Sequence, residues 1–180
     1  DLIVNDDAKK TIDTRFKVLK LLREFMVSYG FIEVETPSLQ PKAGGAIAKP
    51  FVTHHNAMSI DMFLRIAPEL YLKRLIIGGY EKVFEVGKVF RNEGIDQTHS
   101  PEFTMMESYE AYTDVNGVMD MVERMCEHIL SQLNHDLKLE FAEKEADFSF
   151  PWKRISMFDL VSEHFDVEST APSVSMRRIS

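Results

Sequence analysis

The residues with the clearest chemical potential lie in one stretch near the middle of the chain, FRNEGIDQTHSPEFTMMESY, residues 90–109. Arg91 and Glu93 are two positions apart, so in a strand their side chains point to the same face. A polar loop that carries His99 near its tip follows. Because a planar guanidinium grips phosphate or carboxylate oxygens in pairs, this pattern indicates a site for an anionic group.

The return from the loop adds a second row of side chains. Phe103, Glu107 and Tyr109 share a face if residues 101–112 form a strand. An aromatic ring can stack on a nucleobase, and a carboxylate beside a phenol can hold an ammonium group. If residues 83–93 pair with this strand as a hairpin, one sheet face suits a ligand with a phosphate, a flat base and a cation. A solvated face with an ordinary salt bridge is the alternative.

Hydrophobic periodicity predicts the elements that would position these residues. Helices are expected at residues 6–29, 67–79, 114–133 and 156–165. Strands are expected at residues 31–37, 82–93, 101–112 and 137–141, with a further hairpin at 51–66. No regular β-α-β alternation appears and hairpins are frequent, which favours an α+β fold with helices flanking an antiparallel sheet. We predict one domain over residues 1–165 and an irregular tail at 166–180.

Composition narrows the functional classes. The chain has 180 residues, of which 44% are hydrophobic and 28% charged, as is usual for a globular domain with a real core. The net charge of −8 argues against binding of nucleic acid through overall electrostatic attraction to the phosphate backbone. The start lacks the pattern of a signal peptide, and no stretch approaches the ~18 apolar residues of a membrane span. With a single cysteine, these features predict a cytoplasmic chain without membrane contact.

Several motifs resemble those of class II aminoacyl-tRNA synthetases. VFRNEGIDQTHSPEFTMMESY resembles motif 2, an F-R-x-E strand followed by a loop and a returning H-x-x-x-F strand. GFIEVETP resembles motif 1, with Pro37 as its proline, and residues 49–96 look like the lysyl-tRNA synthetase branch. We place motif 1 at about residues 6–37 and motif 2 at about 83–112. The resemblance implies a partial class II catalytic domain that uses ATP as substrate.

The resemblance implies roles for four residues at the nucleotide. Arg91 would be the catalytic residue, holding the α-phosphate of ATP and the carboxylate of lysine. Glu93 would contact the amino group of adenine. His99 would reach the outer phosphates, and Phe103 would stack on the base.

The same resemblance implies a lysine site. Glu69 would receive the α-amino group of lysine, with the backbone of Gly45 beside it. Glu107 and Tyr109 would receive the side-chain ammonium. The implied reaction forms lysyl-adenylate and pyrophosphate, after which lysine passes to tRNA(Lys), with magnesium expected in the complete enzyme and a homodimer expected through motif 1.

Other parts of the family pattern are not found in the sequence. Residues 140–180 contain neither the magnesium-binding carboxylates nor the Gly-rich motif 3, and the anticodon-binding domain is not found either. We therefore expect no metal ligands in this chain and little or no lysyl-adenylate from the chain alone. The adjacent His54 and His55 are predicted to serve a hairpin turn. Two alternatives stay open, a paralogous ligase that attaches lysine to proteins and a non-catalytic dimerising or regulatory module.

Overall fold

The computed structural model describes residues 1–133, 137–141 and 143–165. The helices are α1 (Asp6–Ser28), α2 (Glu69–Ile77), α3 (Val115–Leu133) and α4 (Met157–Phe165). The strands are β1 (Ile32–Glu33), β2 (Leu39–Gln40), β3 (Val52–His55), β4 (Ile60–Leu64), β5 (Lys82–Phe90), β6 (Glu102–Glu110), β7 (Lys138–Phe141) and β8 (Lys144–Asp147). The four predicted helices and the α+β class are confirmed.

The chain divides into two compact units, Asp1–Leu137 and Lys138–Ser180. The second contains the β7–β8 hairpin and α4. The domain predicted over residues 1–165 includes parts of both units, and its boundary stays a prediction. The irregular tail predicted at residues 166–180 lies outside the described residues.

The first unit is organised by a sheet with the strand order β1-β5-β6. β5 and β6 are antiparallel, and their register runs from the Lys82–Glu110 pair to the Phe90–Glu102 pair. This confirms the predicted hairpin. The sheet is mixed rather than wholly antiparallel, because β1 pairs with β5 in parallel. A second sheet, β2-β4-β3, contains the predicted hairpin of residues 51–66.

The two faces of the β5–β6 hairpin have different surroundings. Phe84 belongs to a buried cluster with Phe25 and Met26 of α1 and Met121 of α3. Because side chains alternate along a strand, even-numbered residues of β5 face this core and odd-numbered residues face the opposite side. α2 contacts both strands. Lys73 of α2 lies 5.8 Å from the ring centroid of Tyr109, which pairs with Val83 of β5. The odd face therefore lies beneath α2, where the candidate site residues are expected.

Local sequence signals explain where α1 begins and ends. The side chain of Asn5 accepts a hydrogen bond from the N–H of Ala8 at 3.1 Å, and Asp6 and Asp7 occupy the first turn. Both features stabilise a helix N-terminus. Gly30 follows the last turn with a φ of +90°, a conformation that favours glycine.

Two strands, β2 and β8, were not predicted from the sequence. β2 has only two residues, which is too short for a periodic signal. β8 has the sequence KEAD, which lacks the alternating apolar pattern. β5 ends at Phe90 rather than residue 93, so Arg91 lies just beyond the strand.

Gly87 on the odd face of β5 makes room for a buried arginine. A Cβ atom at this position would lie 2.2 Å from Nη2 of Arg65. We expect Gly87→Ala to lower the free energy of unfolding by roughly 1–3 kcal/mol, since the added methyl group overpacks the site. Urea denaturation measures this effect. Gly94→Ala is the control, because its Cβ would meet nothing within 4 Å, and equal losses in the two variants would contradict the prediction.

Candidate functional site

A cavity of about 360 Å³ lies at the end of the β5–β6 hairpin. Its walls are Arg91, Glu93, Gly94, Thr98, His99, Ser100 and Phe103. The structure thus brings together all four residues that the sequence predicts for ATP binding. Their individual roles stay predictions.

Arg91 lies at the loop end of the β5–β6 hairpin, above an aromatic ring. Its backbone N–H donates to the carbonyl of Pro101 at 2.8 Å, which continues the β5–β6 ladder by one residue. The guanidinium Cζ lies 5.1 Å from the ring centroid of Phe103. Among the described residues, the buried Nε of Arg91 has no hydrogen-bond partner. Because buried donors normally have partners, this nitrogen is suited to an acceptor on a ligand.

The loop between the two strands is shaped by Asp96. Its Oδ1 accepts hydrogen bonds from the backbone N–H groups of Thr98 at 2.7 Å and His99 at 2.8 Å. The backbone hydrogen bond from Thr98, followed by the contact with the His99 ring, holds the pKa of Asp96 far below its usual range. Nδ1 of His99 lies 2.8 Å from Oδ2 of Asp96. An ionised carboxylate therefore fixes both the loop and the imidazole beside the cavity.

Glu93 also has a defined partner. Its Oε1 accepts a hydrogen bond from the backbone N–H of Lys49 at 3.1 Å, while the N–H of Asn92 donates to the carbonyl of Lys49 at 2.7 Å. The start of the loop is thereby tied to the segment that precedes β3. This attachment positions Glu93 in the wall of the cavity.

The predicted lysine-binding residues form a second group on the same sheet face. The hydroxyl of Tyr109 donates to Oε2 of Glu107 at 3.2 Å. Glu69 is the first residue of α2, and a Cβ atom at Gly45 would lie 2.9 Å from its Cβ. Gly45 has a φ of +89°, so a larger residue there would be strained as well as crowded. Gly45 and Glu69 are thus neighbours in the structure, and their roles in binding lysine stay predictions.

The electrostatics of this second group favour a bound cation. Burial raises the pKa of Glu107 above its usual value, and the negative charges of Glu69 and Glu85 raise it further. The hydrogen bond from Tyr109 and the charge of Lys73 act in the opposite direction. Burial and the charge of Glu107 also raise the pKa of Tyr109. The surroundings therefore penalise negative charge, and a positively charged ligand would relieve that penalty.

Lys73 is a site residue that the sequence analysis missed. Its Nζ lies 2.5 Å from Oε1 of Glu69 and 5.8 Å from the ring centroid of Tyr109. The sequence offered one signal for it: Lys73 follows Glu69 by four residues, and residues i and i+4 share a helix face.

A buried ion pair beneath the site was missed as well. Arg65 and Glu85 have side chains that are each 4% exposed, and Nη1 of Arg65 contacts Oε1 of Glu85. Thr36 donates from Oγ1 to Oε2 of Glu85 at 2.6 Å, and Nε of Arg65 donates to the carbonyl of Lys88 at 2.7 Å. The sequence offered one signal for this pair: Glu85 has an odd number on β5, like Arg91, so it lies on the sheet face of the candidate site.

The paired histidines serve the β3–β4 hairpin, as predicted. Nδ1 of His54 lies 3.0 Å from Oδ1 of Asp61, and Nδ1 of His55 accepts from the N–H of Met58 at 3.2 Å. In the part of the chain that the structure describes, no group of three or more His, Cys, Asp or Glu residues could hold a metal ion. None of the described helices is long and apolar enough to cross a membrane.

The fold and the site agree with one class of protein. The family model of class II tRNA synthetases (D, K and N) matches residues 1–178, and the chain belongs to this family. It is similar to proteins named lysine–tRNA ligase, which confirms the branch expected from the motifs.

Three such relatives give the extent of the similarity. The ligase of Clostridium tetani is 56% identical over 168 residues, covering 93% of this chain and 34% of the relative. That of Clostridium botulinum (strain Langeland) is 55% identical, covering 93% and 33%. That of Thermoanaerobacter sp. (strain X514) is 52% identical, covering 93% and 34%. The chain therefore spans about a third of the length of the curated relatives it matches.

Proposed function

We propose that this chain forms the part of a lysine–tRNA ligase site that binds ATP and lysine together. One observation carries the proposal: the Arg91–Phe103 cavity and the Glu107–Tyr109 pair lie on the same face of one hairpin. Phe103 and Tyr109 are six residues apart on β6, roughly 20 Å along a strand. That span suits a flat base at one end and the ammonium of an extended lysine at the other.

The proposed chemistry is the activation of lysine. The carboxylate of lysine attacks the α-phosphorus of ATP, a new P–O bond forms, and pyrophosphate leaves as the bond to the β-phosphate breaks. Arg91 would hold the carboxylate and the α-phosphate together and balance the charge that develops between them. Positioning and electrostatic stabilisation of this kind are the main sources of catalysis in phosphoryl-type transfer. In the complete enzyme, the activated lysine would then pass to tRNA(Lys).

Selection of lysine is proposed to rest on Glu107 and Tyr109. Both are half-buried on β6, and the hydroxyl of Tyr109 orients the carboxylate. An apolar amino acid would leave that carboxylate without a cation. Sites that reject substrates in this way discriminate strongly, because a buried polar group is left unpaired.

The names of the relatives favour this proposal over the alternatives. The three relatives above are named lysine–tRNA ligase, and no specific observation favours a protein-lysylating paralogue or a non-catalytic module. The homodimer stays a prediction. Exposed apolar side chains on α1 and β1, among them Phe16 and Ile32, support it. Magnesium, a cytoplasmic location and weak activity of the chain alone also stay predictions.

The proposal is tested by replacing Arg91. We expect Arg91→Met to weaken binding of a non-hydrolysable lysyl-adenylate analogue roughly 10- to 150-fold, because hydrogen bonds to charged groups contribute about 1.5–3 kcal/mol. Isothermal calorimetry on the 180-residue chain measures the affinity.

Arg15→Met is the matched control for this experiment. Arg15 donates from Nη2 to Oγ1 of Thr104 at 3.0 Å. Thr104 and Phe103 are neighbours on β6, so their side chains lie on opposite faces of the sheet. The control should bind the analogue like the unmodified chain. Failure of the unmodified chain to bind the analogue, or equal binding by Arg91→Met, would refute the proposed site.

A further inference from the structure

The lysine-binding group already contains a cation from the protein itself. Nζ of Lys73 lies 2.5 Å from Oε1 of Glu69, the carboxylate proposed to receive the α-amino group of lysine. The same nitrogen lies 5.8 Å from the ring centroid of Tyr109. An ammonium group in this position has the charge and the three donors of the substrate's own ammonium groups.

The charges around Lys73 show which carboxylates depend on it. Glu85 is paired with Arg65 and accepts a hydrogen bond from Thr36, so its charge has buried partners of its own. Glu69 forms an ion pair with Lys73. The charge of Lys73 also acts on Glu107. Lys73 is thus the partner of Glu69, and it acts on Glu107 only through its charge.

We infer that Lys73 is an internal competitor, which occupies Glu69 in the empty lysine site and is displaced when lysine binds. The inference rests on the proposed function of that site and adds a residue that tunes its affinity. When lysine enters, its α-ammonium replaces Nζ of Lys73 on Glu69, and the released side chain turns towards solvent.

Displacement of Lys73 from Glu69 requires little free energy. Its side chain is 54% exposed, and exposed ion pairs contribute little to stability because water and salt screen them. Its flexible four-carbon stem and compact charge allow the ammonium to leave without moving the helix. The arrangement protects Glu69 from an unpaired state in the empty site, while every bound lysine must overcome the competing contact.

The competition acts on the α-ammonium, which amino acids share, and leaves the choice of side chain to Glu107. Norleucine lacks the side-chain ammonium but has the α-ammonium that replaces Nζ of Lys73 on Glu69. Removal of Lys73 should therefore help lysine and norleucine alike, and the rejection of norleucine should rest on Glu107.

The test compares L-lysine binding by the 180-residue chain and its Lys73→Met variant, using isothermal calorimetry. We expect the variant to bind lysine about two- to fivefold more tightly, the range of one exposed ion pair. Lys20→Met is the matched control, since Lys20 also forms an i,i+4 pair, with Glu24 at 3.5 Å, and it should leave the affinity unchanged. In the unmodified chain, the ¹⁵N signal of the Lys73 ammonium should shift when lysine is added.

The outcomes separate the inference from the proposed function. Equal or weaker binding of lysine by Lys73→Met, while the unmodified chain binds, overturns the inference and leaves the proposed function intact. A Lys73 signal that does not move on saturation with lysine overturns it too. If neither protein binds lysine, the proposed function and the inference both fail. Binding by Lys73→Met alone would support the inference.

Discussion

Replacement of Arg65 by methionine is expected to lower the free energy of unfolding by about 3–5 kcal/mol, the usual effect of removing one partner from a buried ion pair. The side chains of Arg65 and Glu85 are each 4% exposed. Without the guanidinium, the carboxylate of Glu85 would retain only the hydroxyl of Thr36, which donates at 2.6 Å. An ionised group left in this state is strongly destabilising, because burial has removed its hydration.

Urea denaturation with a matched control measures this effect. Arg23→Met also removes an Arg–Glu pair, in which Nε of Arg23 lies 2.8 Å from Oε1 of Glu33, but these side chains are 40% and 38% exposed. The control should lose no more than about 1 kcal/mol. Glu85→Gln in the Arg65→Met background should recover part of the loss, since it removes the uncompensated charge. Similar losses in Arg65→Met and Arg23→Met would contradict the prediction.

The Arg65 pair connects segments that carry the candidate site. Its guanidinium joins Thr36, which precedes Pro37 of motif 1, to β5 through Glu85 and the carbonyl of Lys88. The backbone of Arg65 receives a hydrogen bond from the N–H of Phe90 at 2.9 Å, next to Arg91. The pair therefore fixes the register of segments that are far apart in sequence, and its loss should disturb the site as well as the fold.

The sequence predicted those features that depend on local periodicity. The parity of residues on a strand placed Arg91 on the face of Phe103, and the structure has the guanidinium carbon 5.1 Å from that ring. The hairpin and the long helices followed from apolar spacing in the same way. In contrast, the proximity of Gly45 to Glu69 was expected only from the family resemblance, because no periodic pattern links a loop to a helix start.

The features that escaped prediction depend on tertiary proximity. Arg65, which follows β4, and Glu85 of β5 are 20 positions apart, and a lone arginine in FLRIAPEL resembles a surface residue as much as a buried one. Lys73 resembles any exposed helical lysine until the fold places Tyr109 beside it. Burial and partner choice decide the roles of charged residues, and neither is encoded in local spacing.

Glu107→Gln should remove most of the lysine affinity of the site. Hydrogen bonds to charged groups contribute about 1.5–3 kcal/mol, which corresponds to a loss of roughly 10- to 150-fold in affinity. Glutamine keeps the size of the side chain and an acceptor for the hydroxyl of Tyr109, so the charge is the main change. Calorimetry with L-lysine measures the loss, and Glu102→Gln, which replaces an exposed carboxylate of β6 paired with Lys88 at 3.0 Å, should leave the affinity unchanged.

The same substitution should act on stability in the opposite direction. Burial, aided by the charges of Glu69 and Glu85, raises the pKa of Glu107 in the folded chain, so the folded chain binds this proton more tightly than the unfolded chain does. By linkage, stability falls as the pH rises from the ordinary glutamate value through the raised pKa, and the ionised carboxylate destabilises the fold at neutral pH. Glu107→Gln should therefore raise the midpoint of thermal unfolding at neutral pH, and this gain should shrink as the pH falls through the raised pKa.

Lysine binding to the unmodified chain should weaken over the same pH interval, because protonation of Glu107 removes the partner of the ammonium. A variant that loses both stability and lysine binding at neutral pH would show that Glu107 is a structural residue, whereas a more stable variant that no longer binds lysine is the result expected of a carboxylate retained for its ligand.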